Sequence, residues 1–360
     1  MMNWRELRGH TEQREMLRRS LSRGRLAHTW LFLGPEGIGK RKFANLFAQS
    51  LFCERFGENE VESCGVCGAC RQFAAGTHPD FYLILCPEGK RELPIELFLG
   101  APERRGREGL CHDLAQTPMV GRRKIAVIDG ADLLNEAGAN SLLKTLEEPP
   151  SHSLIILIAS NRDAVLPTIL SRCQILRFSP LSSDDVTEIL LAEGLTEDRA
   201  LAAQAALWSE GSLTSAEALL DSALGRIRNE IFDALTARKF NSVGLARILL
   251  DGLEEGGSEA SVQRERANRQ IRFLIDFFRE LLLNLNADSM VSNIPQVVKL
   301  IETFDREHET TQLLVQDLLE RTIRTTQELD QNASVPLALE TLCDDLGKLL
   351  RMVPRLASVS

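Results

Sequence analysis

The stretch TWLFLGPEGIGKRKFANLFAQSLF, residues 29–52, decides the fold. Thr29–Leu33 is a short unbroken apolar run, the pattern of a strand buried on both faces of a parallel sheet. It leads straight into Gly34-Pro-Glu-Gly-Ile-Gly39-Lys40-Arg41, which fits G-x-x-x-x-G-K. Arg41–Phe52 then reads as a helix. In that setting backbone N–H groups turn inward around phosphate, and the lysine adds a point charge. Gly34, Gly37, Gly39 and Lys40 are therefore candidate nucleotide-binding residues. The other reading is a glycine-rich turn that holds no ligand.

Working outward, four further apolar runs read as strands: Phe81–Leu85, Lys124–Ile128, Leu154–Ile158 and Gln174–Phe178. Helical patterns such as Gly138–Glu148 separate them, which predicts a doubly wound α/β domain over residues 1–180. From Pro180 the strands stop. Asp184–Glu193, Glu197–Glu210 and Ser212–Leu220 are expected to form a small three-helix subdomain, residues 181–222, with Ser212 as an N-cap. Residues 223–360 read as helical throughout. Ile271, Leu274, Ile275, Phe278, Leu281 and Leu282 make one apolar stripe, and Leu253–Ser261 and Asp288–Pro295 read as loops.

Parallel sheets bind ligands beyond the carboxyl ends of their strands, so the residues there carry the chemistry. Lys124–Ile128 leads into Asp129, the type of residue that orients Mg²⁺ and its water shell. The catalytic carboxylate that usually follows is replaced by Gly130, and Asp132 is expected to point elsewhere. Arg41 stands where a Ser or Thr hydroxyl would hold Mg²⁺, and a guanidinium cannot ligate a cation. Ser160-Asn161 follows the fourth strand, with Asn161 placed to sense a terminal phosphate. Phosphate binding survives these changes more readily than hydrolysis does.

Cys53-x₁₀-Cys64-x₂-Cys67-x₂-Cys70 has the spacing of a structural zinc site, because four thiolates close a tetrahedron and leave no open position. His78 is the one nearby substitute ligand, and Cys86, Cys111, Cys173 and Cys343 are scattered.

The chain has 360 residues with 42 Lys+Arg against 51 Asp+Glu, a net charge of −9. That balance argues against coating nucleic acid by bulk charge. One tyrosine and 5% aromatics disfavour single-strand binding on stacking platforms. Two local basic clusters, Arg104/Arg105/Arg107 and Arg122/Arg123/Lys124, could touch phosphates but are more simply solvated loops. No apolar run approaches the ~20 residues that span a bilayer. Met1–Arg8 is polar and lacks a leader pattern, so a cytoplasmic location without membrane contact is expected.

Several motifs together carry a family resemblance: Arg25-Leu-Ala-His28, the phosphate loop, Gly138-Ala-Asn140-Ser-Leu-Leu-Lys144-Thr-Leu-Glu147-Glu148-Pro149-Pro150 and Ser171-Arg172-Cys173. Over roughly residues 1–215 the chain resembles bacterial DNA polymerase III clamp-loader AAA+ subunits, most of all the delta-prime group. The resemblance implies an AAA+ P-loop domain with a zinc-binding insertion (residues 53–70), a helical lid and an all-α collar. It makes Arg172 an arginine finger acting in trans on a neighbouring ATP site, where it stabilises charge on the transferred phosphoryl group. Active relatives carry a lid arginine where Thr214 stands here.

With Arg41, Gly130 and Thr214 against hydrolysis in cis, the expectation is a stator without a competent ATPase or polymerase activity of its own. Its implied partners are gamma/tau and delta subunits, the sliding clamp, and primed DNA reached through the assembly. The alternatives are a gamma/tau-like motor subunit and an AAA+ module of recombination or repair.

Overall fold

The computed structural model describes residues 4, 7–87, 90, 92–220, 222–254, 260–285, 292, 294–306 and 308–354. The chain divides into two compact units, Met1–Leu220 and Asp221–Ser360. In the first unit the elements are α1 (Thr11–Ser22), β1 (Thr29–Leu33), α2 (Lys40–Phe52), α3 (Gly68–Ala74), β2 (Phe81–Ile84), α4 (Glu96–Leu99), α5 (Leu110–Ala115) and β3 (Lys124–Asp129). They continue as α6 (Glu136–Glu147), β4 (Ser153–Ala159), α7 (Pro167–Leu170), β5 (Gln174–Arg177), α8 (Ser183–Ala192), α9 (Arg199–Trp208) and α10 (Leu213–Leu220).

All five predicted strands are present, with ends moved by a residue or so. They form one parallel sheet in the order β2-β3-β4-β1-β5. Every residue of β1 and β4 is buried, which is why their sequences run apolar without alternation. On one face Trp30, Phe32, Val127 and Ile156 pack against Leu17 and Leu21 of α1 and Phe43 and Phe47 of α2. On the other, Leu31, Ile128 and Leu157 pack against Phe98, Leu114, Leu142 and Ile169 from α4 to α7. Each such side chain, fully buried, contributes about 1.5–3 kcal/mol.

Register decides what stands at the carboxyl edge. Leu33 pairs with Ala159, and Asp129 with Ile158. The residues following β1, β3 and β4 therefore emerge side by side, where the crossovers place a ligand.

Helices α8 to α10 enclose their own small core of Leu181, Val186, Leu190, Ala202, Ala206 and Ala216. Ser212 Oγ accepts the Ser215 N–H at 3.3 Å, the cap expected of it. This three-helix layer meets the α/β layer at several points. Leu213 N–H donates to Gly37 O (2.8 Å), and Lys42 pairs with Glu193 (2.8 Å).

Among its described residues the second unit's named elements are all helices: α11 (Ser222–Thr236), α12 (Ser242–Glu254), α13 (Ala260–Leu285), α14 (Pro295–Ile301), α15 (Glu309–Asp330) and α16 (Val335–Met352). The expected loop at Leu253–Ser261 is narrower than its sequence suggests. Leu253 still belongs to α12 and Ser261 to α13, while residues 255–259 lie outside the described residues. Most of the Asp288–Pro295 loop also lies outside them, and Pro295 opens α14. On α13 the buried face is Ile271, Leu274, Phe277, Phe278 and Leu281. Ile275 and Leu282 of the predicted stripe are only half-buried at its flank. No helix among the described residues is long and apolar enough to cross a membrane.

Candidate functional site

The phosphate loop joins β1 to α2. Gly37 and Gly39 take φ of +75° and +90°, left-handed conformations that disfavour a Cβ. The loop is engaged with its own chain. Lys40 is buried, and its Nζ donates to Gly34 O (2.6 Å) and Pro35 O (2.5 Å). Burial pulls the Lys40 pKa down, against the opposing charges of Asp129, Asp132 and Glu36. From above, the start of α10 rests on the loop. A Cβ at Gly37 would stand 2.9 Å from Thr214 Oγ1 and would also run into Ser212 Oγ. Thr214, at the position of the lid arginine in the resemblance, thus meets the loop as a packing contact.

Arg41 does more than lack a hydroxyl. Its Nη1 lies 3.4 Å from Asp129 Oδ2, so a guanidinium faces the carboxylate that would otherwise orient a metal. Burial raises the Asp129 pKa while Arg41 and Lys40 oppose it. Gly130 has φ +101°, and a Cβ there would approach Leu133 Cδ1 to 2.9 Å. The backbone itself therefore disfavours a carboxylate side chain at this place. Asp132 turns to the end of β4, where its Oδ2 accepts the N–H groups of Ser160 (2.8 Å) and Asn161 (3.1 Å). Asn161 spends its side-chain oxygen locally, accepting from Asp163 N at 2.9 Å.

One contributor escaped the sequence reading. His10, just before α1, is buried, and its Nε2 lies 2.7 Å from Ile38 O in the phosphate loop. A carbonyl only accepts, so the proton sits on Nε2. Burial lowers the His10 pKa, which keeps the ring neutral, and it packs edge-on against Phe178 at 5.0 Å. The only sequence signal for it was a Gly-His step ahead of a helix.

Arg172 lies at the far end of the sheet edge, between α7 and β5. Its side chain is 32% exposed. Nε donates to Glu147 Oε1 (2.9 Å), Nη2 also pairs with Glu147, and Nη1 donates to Thr168 O and Ser171 Oγ, both at 2.9 Å.

The four sequence-predicted metal ligands come together. The sulfurs of Cys53, Cys64, Cys67 and Cys70 all lie within 4.8 Å of one another. Cys53 ends α2, and Cys67 caps α3. N–H groups of Cys64, Cys67 and Cys70 point at the sulfurs of Cys53, Cys64 and Cys67, at 3.3–3.4 Å. Burial pushes the Cys70 thiol up. At Cys64 burial acts the same way but is outweighed by N–H donors from Val66 and Cys67, which bring it to about 6. His78 does not join the group. It stacks on Phe52 at 3.9 Å, and its Nδ1 accepts from Asp80 N.

Of the basic clusters, Arg104, Arg105, Arg107 and Arg122 are exposed, as solvated loops would have them, while Arg123 and Lys124 depart from that reading. Lys124 is buried and donates to Tyr82 Oη at 2.8 Å, Arg123 pairs with Glu58, and Arg104 pairs with Glu108. Only Arg105, Arg107 and Arg122 of the six are left as exposed residues without such an ion pair among the described contacts.

Residues 9–182 match the protein family described as DNA polymerase III, delta subunit. The chain is 35% identical over 198 residues to the DNA polymerase III subunit delta' of Pseudomonas aeruginosa, covering 55% of this chain and 57% of the relative. It is 32% identical over 182 residues to the delta' subunit of Bacillus subtilis, covering 51% of each. It is also 29% identical over 251 residues to the tau subunit of Escherichia coli, covering 68% of this chain and 36% of that one. The chain thus spans about half the length of the delta' relatives it matches. Through the domain that carries the phosphate loop, the cysteine cluster and the Ser-Arg-Cys turn, the chain is similar to DNA polymerase III subunits and is delta-prime-like.

Proposed function

We propose that this chain is a stator of a clamp loader, a subunit that serves a neighbour's ATP site without turning over ATP at its own. The observation that carries the reading is a contrast within one domain. The loop in cis is filled by its own side chains, with Lys40 bonded to Gly34 and Pro35 carbonyls and Arg41 facing Asp129. Arg172, by contrast, stands at the surface with its guanidinium oriented. For Lys40 to reach a phosphate it must leave two carbonyls, and for Mg²⁺ to reach Asp129 it must displace a cation already there.

In this reading Arg172 enters the active site of an adjacent gamma/tau-type subunit and stabilises charge on the transferred phosphoryl group. The helices of 223–360 join the ring, residues 181–222 form the lid, and the assembly, with a delta subunit, places a sliding clamp on primed DNA. The four cysteines hold a structural Zn²⁺. The thiolate set and its N–H···S contacts fit that ion, and four protein ligands leave no position for catalysis.

The test is the DNA-stimulated ATPase of the assembled complex. Arg172→Ala lowers turnover while assembly stays intact. Finger residues reach roughly 10³–10⁵ in rate at a single site, and bulk turnover falls by the share of that site. Lys40→Ala leaves it unchanged. Loss of activity with Lys40→Ala and none with Arg172→Ala would overturn the stator reading.

A further inference from the structure

We propose that Glu147 is a positioning residue for Arg172: its carboxylate holds the guanidinium in the pose in which it meets a neighbour's phosphate. The inference rests on the finger reading above. A guanidinium carries five N–H donors. Nε and Nη2 face Glu147, and Nη1 donates to both Thr168 O and Ser171 Oγ. Four of the five are thereby committed, and the one that is left belongs to Nη2. The arginine is gripped from two elements, the last residue of α6 and the single turn of α7. An unheld arginine on a surface samples many rotamers. One whose edge is fixed by a carboxylate loses less freedom when it meets a phosphate.

The placement of Glu147 also links the two ends of the domain. Helix α6 starts from Asn135, whose Oδ1 caps Gly138 N at 2.8 Å just past the Asp129–Asp132 turn. Its 12 residues span about 18 Å and end at Glu147. The finger is thus referenced to the rigid sheet through one continuous helix rather than through its own loop alone. The pair is part-exposed, with 49% of the Glu147 side chain open, so its grip is modest. Exposed pairs of this kind correspond to a rate effect of up to about fivefold.

The experiment uses the full-length chain assembled with its ATPase partners, after gel filtration has shown that each variant assembles. Glu147→Ala is expected to lower turnover at the site Arg172 serves by up to about fivefold, which the complex shows as a fall in kcat smaller than that of Arg172→Ala, with KM unchanged, since the finger acts on the transition state. Glu147→Gln, which keeps an acceptor oxygen, restores most of that fall. In an Arg172→Ala background, Glu147→Ala has no further effect, because Glu147 acts only through Arg172. An unchanged or raised kcat in Glu147→Ala overturns the proposal while leaving the finger intact, and so does a further loss in the double variant. An unchanged kcat in Arg172→Ala alone removes the finger and the proposal with it.

Discussion

Replacing Gly37 by alanine measures how firmly α10 rests on the phosphate loop, and Gly39→Ala is its internal control. Both glycines are left-handed, at φ +75° and +90°, so both alanines take on about 1–2 kcal/mol of backbone strain. Both also gain about 0.4–1 kcal/mol from a stiffer unfolded chain, and that term cancels in the comparison. The surroundings differ. Nothing lies within 4 Å of a Cβ at Gly39, whereas one at Gly37 would stand 2.9 Å from Thr214 Oγ1 and 3.1 Å from Thr214 Cβ. Ser212 Oγ cannot simply swing away, because it caps Ser215 N. Overpacking of this kind costs about 1–3 kcal/mol beyond the strain.

For a unit of this size each kcal/mol moves Tm by about 2–4 °C. Gly37→Ala should therefore melt at least about 2 °C below Gly39→Ala in a fluorimetric thermal scan at pH 7.5. Thr214→Ala with Ser212→Ala in the Gly37→Ala background should recover most of that gap. Equal melting temperatures for the two glycine variants would refute the view that α10 is seated on the loop, and with it the account of Thr214 as a packing residue.

Two further outcomes follow from the same geometry. Cys67→Ser removes one of four clustered sulfurs while leaving a hydroxyl that can still cap α3, so its effect reports on the cluster. Zinc content measured by atomic absorption should fall from about one ion per chain to near zero, and α3 should become sensitive to protease while α2 stays protected; a variant that keeps its zinc would sink the four-sulfur assignment. His10 and His78 both have pKa values lowered, chiefly by burial. The unfolded chain then binds more protons than the folded one below about pH 6.5. Stability is full above that pH and is lost as pH falls toward the folded pKa values, so urea midpoints should drop from pH 7.5 to 5.5, and His10→Gln should flatten that slope.

The strands were readable because burial on both sides of a parallel sheet leaves a local mark, a run of apolar residues with no alternation. Thr29–Leu33 carries that mark over all five positions and is a strand over the same span. The three helices between Ser183 and Leu220 were readable through periodicity and the Ser212 cap. The cysteine cluster was readable through spacing, which survives in sequence because the four cysteines come from one short segment. The Arg122/Arg123/Lys124 cluster misled in part, since a charge count cannot tell a solvated lysine from Lys124, which is buried on Tyr82. On α13 the predicted stripe missed Phe277, because helices approach from more than one side and widen the buried arc.

The succession of strands and helices along the chain, the position of the phosphate loop and the grouping of the four cysteines were legible in sequence, because each is written in neighbouring residues or in fixed spacings. How the charged residues are used emerges from packing in three dimensions. Lys40 turns to the carbonyls of its own loop, Arg41 faces Asp129, and Arg172 is held by Glu147, 25 positions away in the chain. Asp132 and His10 likewise serve loops far from them in sequence. A charged side chain takes the nearest opposite charge or carbonyl in space, and that partner is chosen by sheet order and helix packing, which bring distant residues to one edge.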